Sequence, residues 1–139
     1  MKKDLITHQR DVIGGVVVGK KDRIMYNAKP LPEGFKTDED GLVEVMGIGT
    51  GFLRISKRAL HIMWDLAEPY AYESKDSRNV FPNGVYDGQY YGEDIAFCQK
   101  WRSLGEKVYI DPNITCSHVG KKEWHGNFSD YLKILEAYK

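Results

Sequence analysis

The apolar residues of this chain fall into short runs that are separated by polar stretches. Residues 11–18 form a nearly continuous β-branched run, which indicates a strand buried on both faces. Gly14 and Gly15 within it indicate a bulge or a close approach by another backbone or a ligand, and a kinked core strand is the simpler explanation. Residues 42–55 alternate and then become apolar, which predicts two strand segments joined or bent at the glycines between them.

Three segments carry apolar residues at helical spacing. Ser56 is the predicted N-cap of a helix over residues 57–67. A second helix is predicted over residues 93–104, with Gly105 ending it, and a third begins near Ser129. The residues expected on the apolar faces are Leu60, Ile62, Met63, Trp64, Ile95, Cys98, Trp101, Tyr131, Ile134, Leu135 and Tyr138.

The remaining stretches are predicted to be loops and short strands. Residues 20–40 are polar and interrupted by prolines, which indicates a long loop, a possible lid, with at most a short strand near residues 23–26. Residues 107–110 and 114–118 alternate as two short strands about the turn at residues 111–113. Residues 68–91 are aromatic-rich and irregular, and their rings either bind a sugar or another flat ligand or cover the core.

Length and composition indicate one globular domain over residues 1–139, or part of a larger one. Twenty basic residues balance twenty acidic ones, so nothing indicates a general attraction to nucleic acid or to an anionic membrane. No apolar run approaches the length of a membrane span, and the first ten residues lack the apolar core of a secretory signal. Cys98 and Cys116 are expected to be buried free thiols, which favours a cytoplasmic location.

The candidate chemistry lies between residues 90 and 120. Glu93 and Asp94 fall in the first turn of a helix, where carboxylates are favoured by the helix dipole alone. They follow Tyr90, Tyr91 and a glycine that lets a ligand approach the backbone, which favours a site for a general base acting on a hydroxyl. His118 ends an apolar strand, where a histidine is more often a structural hydrogen-bonding residue than a metal ligand.

Three blocks of this sequence resemble one enzyme family. They are Gly-Ile-Gly-Thr-Gly-Phe at residues 47–52, Tyr-Gly-Glu-Asp-Ile-Ala-Phe-Cys at 91–98, and Leu-Gly-Glu-Lys-Val-Tyr-Ile-Asp-Pro-Asn-Ile ending in His-Val-Gly at 104–120. In order and spacing they are similar to the C-terminal half of inverting family-two glycosyltransferases with the GT-A fold. The likeness covers nearly the whole chain from residue 11 and implies an α/β fold in which a partial GT-A-like mixed sheet is flanked by helices.

The resemblance implies roles for particular residues. Asp94 matches the general base on the acceptor hydroxyl, Glu93 is its partner, and His118 matches the histidine that completes the metal site in some members. Gly49, Thr50 and Gly51 match the loop beneath the sugar and acceptor, and Tyr90 and Tyr91 stand beside it. The implied substrates are a nucleotide-sugar and a hydroxyl acceptor, and the implied cofactor is manganese or magnesium, which offsets the charge of the diphosphate.

The chain departs from the family pattern in its first half. The nucleotide-binding half, with the Asp-x-Asp motif that holds the metal, would precede residue 1. Residues 38–40 spell Asp-Glu-Asp, but they lie in a polar loop with no strand to present them. We therefore expect an isolated chain that is inactive or weak, and that associates with itself or with a partner chain across an exposed sheet edge. The alternative is a non-catalytic module that binds a glycan or a protein.

Overall fold

The computed structural model describes residues 6–138, which form a mixed five-stranded sheet with three helices. The sheet strands are β1 (Val12–Val17), β2 (Ala28–Pro30), β3 (Val43–Ile48), β4 (Leu53–Ile55) and β9 (Val108–Cys116), in the spatial order β2-β3-β9-β1-β4. Only β1 and β9 are parallel; the other neighbours are antiparallel. The α/β class expected from the sequence is confirmed. Within residues 6–138 no helix has the length and apolar character needed to cross a membrane.

The glycines of β1 are sites of close approach, as predicted. A Cβ atom on Gly14 would lie 2.6 Å from the carbonyl oxygen of Phe52, and one on Gly15 would lie 2.4 Å from Cγ2 of Ile114. The register between β1 and β9 also shifts between Gly14 and Val16. The neighbours that require these glycines therefore belong to the chain's own core.

The prediction of two strands about a turn at residues 111–113 was wrong in detail. β9 is one strand, and both of its halves pair with β1 in the same direction. The Asp111 carboxylate accepts the backbone N–H of Asn113 at 2.9 Å, so the polar residues form a local bulge within the strand. The chain then continues to His118 as a separate short element instead of ending β9 there.

The first helix, α1 (Lys57–Leu66), begins as predicted. The Ser56 hydroxyl accepts the backbone N–H of Ala59 at 3.0 Å, which is an N-cap hydrogen bond. Its buried residues are Ala59 and Met63, four positions apart. Leu60 and Trp64 lie one position further along the helix and are exposed, so the predicted apolar face was wrong for these two side chains.

The second helix, α2 (Glu93–Ser103), agrees closely with its prediction. Ile95, Cys98 and Trp101 are all buried, and Gly105 adopts a left-handed conformation with φ of +85° just after the helix. The Sγ atom of Cys98 lies 3.7 Å from the carbonyl oxygen of Ile48, so the helix packs directly on the end of β3.

The third helix, α3 (Phe128–Ala137), starts one residue before the predicted position. The Asn127 side chain accepts the backbone N–H of Asp130 at 3.1 Å and caps the helix. Phe128 is fully buried and provides the main contact with the core, whereas Ile134 and Tyr138 are exposed. The predicted apolar face was therefore wrong for Ile134 and Tyr138.

The aromatic-rich segment is regular, contrary to the prediction. It forms two antiparallel hairpins, β5–β6 (Glu68–Tyr72 with Lys75–Asn79) and β7–β8 (Gly84–Tyr86 with Gln89–Tyr91). The two turn residues of each hairpin have positive φ, which is typical of tight type I′ connections. Many of its aromatic rings stand on the exposed faces of these hairpins, namely those of Tyr70, Tyr72, Tyr86 and Tyr90.

The polar segment after β1 also holds more structure than predicted. The Gly19 N–H donates to the Met25 carbonyl at 2.7 Å, which closes a tight loop. The strand that follows is β2, rather than one at residues 23–26. Because β2 lies at the edge of the sheet, Pro30 can occupy it without removing a hydrogen bond from a central ladder.

Candidate functional site

The Gly-Thr-Gly segment at residues 49–51 is attached to the end of β1 through Asn27. The Asn27 N–H donates to the Val17 carbonyl at 3.2 Å, and the Gly49 N–H donates to the Asn27 carbonyl at 3.0 Å. A Cβ atom on Gly49 would lie 1.7 Å from Nδ2 of Asn27, so the glycine makes room for this side chain. Thr50 and Gly51 follow in a short 3-10 turn and are exposed. We call this surface the Gly49 edge.

The start of α2 lies against the strand that leads into the Gly49 edge. A Cβ atom on Gly47 would lie 2.8 Å from Cδ1 of Ile95. Oδ1 of the half-buried Asp94 accepts the Ile95 N–H at 2.7 Å, whereas Gly92 at the N-cap has no side chain for this purpose. The second oxygen of Asp94 has no hydrogen-bond partner among residues 6–138. The helix start therefore accounts for one oxygen of Asp94 and leaves the other available.

The residues that flank Asp94 have different environments. Glu93 and Tyr90 are exposed. Tyr91 is half-buried, and the Lys29 ammonium from β2 lies 5.1 Å from the centre of its ring. Tyr91 therefore packs against Lys29 of β2, whereas its chain neighbours Glu93 and Tyr90 are exposed to solvent.

His118 lies in β10 (His118–Val119), which pairs with β11 (Glu123–Trp124). Its Nδ1 atom is 3.0 Å from the carbonyl oxygen of Val18. Since a carbonyl only accepts, Nδ1 carries the proton, and in the neutral ring Nε2 presents a lone pair. In metal sites, a hydrogen bond from the ring nitrogen that does not bind the metal orients the histidine in the same way.

Residues 6–138 contain no group of three or more His, Cys, Asp or Glu residues placed to bind a metal ion. A metal at His118 would therefore require ligands from a diphosphate, from water or from another polypeptide. The carboxylates of Asp38 and Asp40 already have partners within the chain. The Asp38 carboxylate accepts the Leu42 N–H at 2.9 Å within a turn, and Asp40 pairs with Arg10 at 2.6 Å. The donor set of the described chain does not by itself fit a manganese or magnesium centre.

The link between Asp94 and His118 runs through intervening residues. No hydrogen bond or ion pair among the described residues joins the two side chains. They are connected through Val18 and Val17, then Asn27, and then the Gly49 edge. Asn27 is the connecting residue that the sequence did not reveal, because it lies in a stretch that has only the composition of a loop.

Two adjoining cavities open beside the aromatic hairpins. One has a volume of about 550 Å³ and the other about 180 Å³, and Pro82, Tyr86 and Lys100 line both. The larger volume is within the range of small-molecule pockets. Asp94 and His118 do not line either cavity, so these cavities are separate from the Gly49 edge.

Comparisons of the chain with models of protein families, with curated proteins and with solved structures found no match. The family likeness therefore depends on the three sequence blocks at residues 47–52, 91–98 and 104–120. In the structure these blocks supply the Gly49 edge, the start of α2, and β9 with His118.

Proposed function

We propose that this chain is a glycosyltransferase-like domain, equivalent to the acceptor-binding half of an inverting nucleotide-sugar transferase. The observation that carries the proposal is the hydrogen-bonded connection from Val17 through Asn27 to Gly49. It joins the end of β1, where Val18 contacts His118, to the loop after Gly47, against which Ile95 packs, and this supports assigning Asp94 and His118 to one site. The proposed active site would also need residues that bind the nucleotide-sugar, which another polypeptide segment would supply.

Asp94 is the proposed general base. Its Oδ1 atom is held by the Ile95 N–H, which fixes the carboxylate orientation, while the second oxygen can accept the proton of an acceptor hydroxyl. Removing that proton as the hydroxyl oxygen attacks the anomeric carbon makes the oxygen a better nucleophile, and attack opposite the leaving diphosphate inverts the configuration. Glu93, which is exposed beside it, would bind the acceptor or brace the loop.

His118 is the proposed contact on the donor side. Its Nε2 lone pair would provide one ligand to a manganese or magnesium ion that neutralises the diphosphate. Because the described residues do not complete such a centre, the donor half is expected to require ligands from outside them. The isolated chain is therefore expected to bind nucleotide diphosphate weakly and to transfer sugar slowly or not at all.

The binding test uses uridine and guanosine diphosphate with manganese, followed by tryptophan fluorescence. Trp124 is a reporter near the site, since its ring centre lies 6.4 Å from that of His118. We expect a manganese-dependent change that is lost in His118→Ala and kept in His61→Ala, a control on the exposed side of α1. Equal responses of the two variants, or no response in the parent chain, would contradict the proposal.

The catalytic test measures release of nucleotide diphosphate from a panel of nucleotide-sugars. Any activity of the chain should fall by about 10²–10⁴-fold in Asp94→Asn, because the amide cannot accept the proton. The control is Asp65→Asn, which changes an exposed carboxylate on α1. Activity that survives unchanged in Asp94→Asn would exclude Asp94 as the base.

A second candidate is a non-catalytic module that binds a glycan. It is favoured by the exposed tyrosines of the two hairpins and by the adjoining 550 Å³ cavity, since aromatic faces stack on sugar rings. Oligosaccharides titrated against tryptophan fluorescence distinguish the two functions. Glycan binding without nucleotide binding favours the module, and loss of glycan binding in Tyr86→Ala would locate it at the cavity.

A further inference from the structure

Two loops that are distant in sequence lie side by side beyond the end of β1. They are residues 19–25 and the β10–β11 hairpin at residues 118–124, which we call the twin-loop surface. Lys122 pairs with the carboxylate of Asp22, and a Cβ atom on Gly120 would lie 3.6 Å from Nζ of Lys20. These contacts join residues that are 100 positions apart in the chain.

The twin-loop surface is basic although the whole chain is neutral. It carries the cations Lys20, Lys21, Arg23, Lys121 and Lys122 against the two carboxylates of Asp22 and Glu123. Both carboxylates are occupied, Asp22 by Lys122 and Glu123 by His125 at 3.1 Å. Among residues 6–138 the other four cations have no carboxylate partner. The surface therefore carries a local positive potential that the net charge of the chain conceals.

Apolar side chains stand exposed among these cations. Ile24 is 54% exposed and Val119 is 69% exposed, one in each loop, and Met25 is also partly exposed. Trp124 of the same hairpin is half-buried beneath the ammonium of Lys122 and is not one of these exposed residues. Exposed apolar residues beside several lysines are typical of a surface that meets lipid headgroups and the upper acyl region.

We infer that the twin-loop surface docks the protein on an anionic phospholipid bilayer. The cations would bind headgroup phosphates and carboxylates, while Ile24 and Val119 would enter the interface. A soluble phosphate ligand explains the surface less well, because the cations are exposed and spread over two loops and the apolar side chains would have no role. The inference goes beyond the proposed function and does not depend on it.

The register of the β10–β11 hairpin determines which of its residues share a face. His118 is opposite Trp124, and Val119 is opposite Glu123. Opposed residues of an antiparallel pair project from the same face, and consecutive residues project from opposite faces. Val119 therefore projects from the other face of the hairpin from His118, so lipid contact at Val119 leaves His118 accessible.

The test of the charge is co-sedimentation of the full chain with vesicles. We expect binding to phosphatidylcholine vesicles that contain about 30% phosphatidylserine, little binding to pure phosphatidylcholine, and weakening by added salt. The Lys21→Glu/Lys121→Glu variant should bind about 25-fold less tightly or weaker still, since each cation near an anionic surface contributes about fivefold. The Lys57→Glu/Lys75→Glu variant makes the same change in net charge at other exposed positions and should bind like the parent.

The test of the apolar residues is Ile24→Ser/Val119→Ser, which should weaken vesicle binding about tenfold or more without changing its salt dependence. Val85→Ser, at an equally exposed valine in β7, is the control. Circular dichroism verifies that every variant is folded. Equal binding to neutral vesicles, or none to anionic ones, would overturn the inference. Displacement by inorganic phosphate with no loss in the serine variant would overturn it in favour of a soluble phosphate site.

Discussion

The environment of Asp94 is compatible with both roles that its sequence context allows. Its Oδ1 atom accepts the Ile95 N–H, as a helix-start carboxylate does, and its other oxygen has no partner among the described residues. A carboxylate held in this way has a defined orientation while it keeps the capacity to accept a proton. The structural role therefore does not compete with the proposed catalytic one, because each uses a different oxygen atom.

Gly15 provides a stability test at the scale of one residue. A Cβ atom there would lie 2.4 Å from Cγ2 of Ile114 and 2.8 Å from its carbonyl oxygen. Moving the backbone of Ile114 would disturb the pairing of β9 with β1. We expect Gly15→Ala to lower the free energy of unfolding by about 3 kcal/mol, as measured by urea denaturation. Gly120→Ala, whose nearest neighbouring atom would be 3.4 Å away, should have little effect. Equal losses would contradict this account.

Cys98 should make stability depend on alkaline pH. Burial raises the pKa of its thiol from 9.0 to about 11. The unfolded thiol ionises first, so stability that is fully present below pH 9 decreases as the pH rises towards 11, by about 2–3 kcal/mol in total. Urea denaturation of the parent and of Cys98→Ala across this range tests the prediction. Parallel pH profiles of the two proteins would show that the thiol does not contribute.

At the scale of elements, the two hairpins are the clearest structure that the pattern analysis missed. Asp87 and Gly88 form a short-range hairpin signal, and both adopt positive φ. The other turn uses Glu73 and Ser74, also at positive φ, which are residues that seldom mark such a turn. The β7–β8 hairpin was therefore predictable from the sequence, whereas the β5–β6 hairpin depends on strand pairing.

The segment before β1 is tied to the sheet by side chains that no motif marked. Nε2 of His8 lies 2.8 Å from Oδ2 of Asp111, and both residues are buried. Arg54 from β4 donates to the carbonyl oxygens of His8 and Arg10 at 3.0 and 2.8 Å. These contacts connect the segment to β9 and β4 at once.

Asp111→Ala tests this attachment. The substitution leaves the His8 ring and the Asn113 N–H without their acceptor, so we expect a loss of about 2–3 kcal/mol in urea denaturation. Hydrogen exchange should also become faster in residues 6–11. The control is Asp40→Ala, which removes an exposed partner of Arg10 and should cost about 1 kcal/mol or less. If the two variants lose equal stability, the buried contact is not the stronger attachment.

At the scale of the whole molecule, the sheet order changes the argument for association. Neither side of β1 is an exposed edge, since β4 lies along Val12–Gly14 on one side and β9 on the other. The edge strands β2 and β4 have three residues each, and Pro30 in β2 has no N–H to offer. Short edges of this kind are poor templates for strand addition. Exposed apolar residues on α1, among them Leu60 and Trp64, provide another reason to expect association.

We expect light scattering at micromolar concentration to give a mass above the 16.0 kDa of one chain. Burial of Leu60 and Trp64 between copies, or against a partner chain, would supply the free energy. Leu60→Lys/Trp64→Lys should shift the mass towards that of one chain, and Lys57→Glu should leave it unchanged. A mass of one chain for the parent protein would contradict self-association.

The sequence alone determined the features that depend on near neighbours. β1, β3, the Ser56 cap, α2 and the stop at Gly105 follow from hydrophobic period and capping chemistry, which act over a few residues. Only the tertiary structure decided which surfaces meet. Asn27 joins β1 to Gly49, and Lys122 reaches Asp22 across 100 positions, because proximity in space depends on the path of the whole chain. The same path gathers cations of a neutral sequence on one surface.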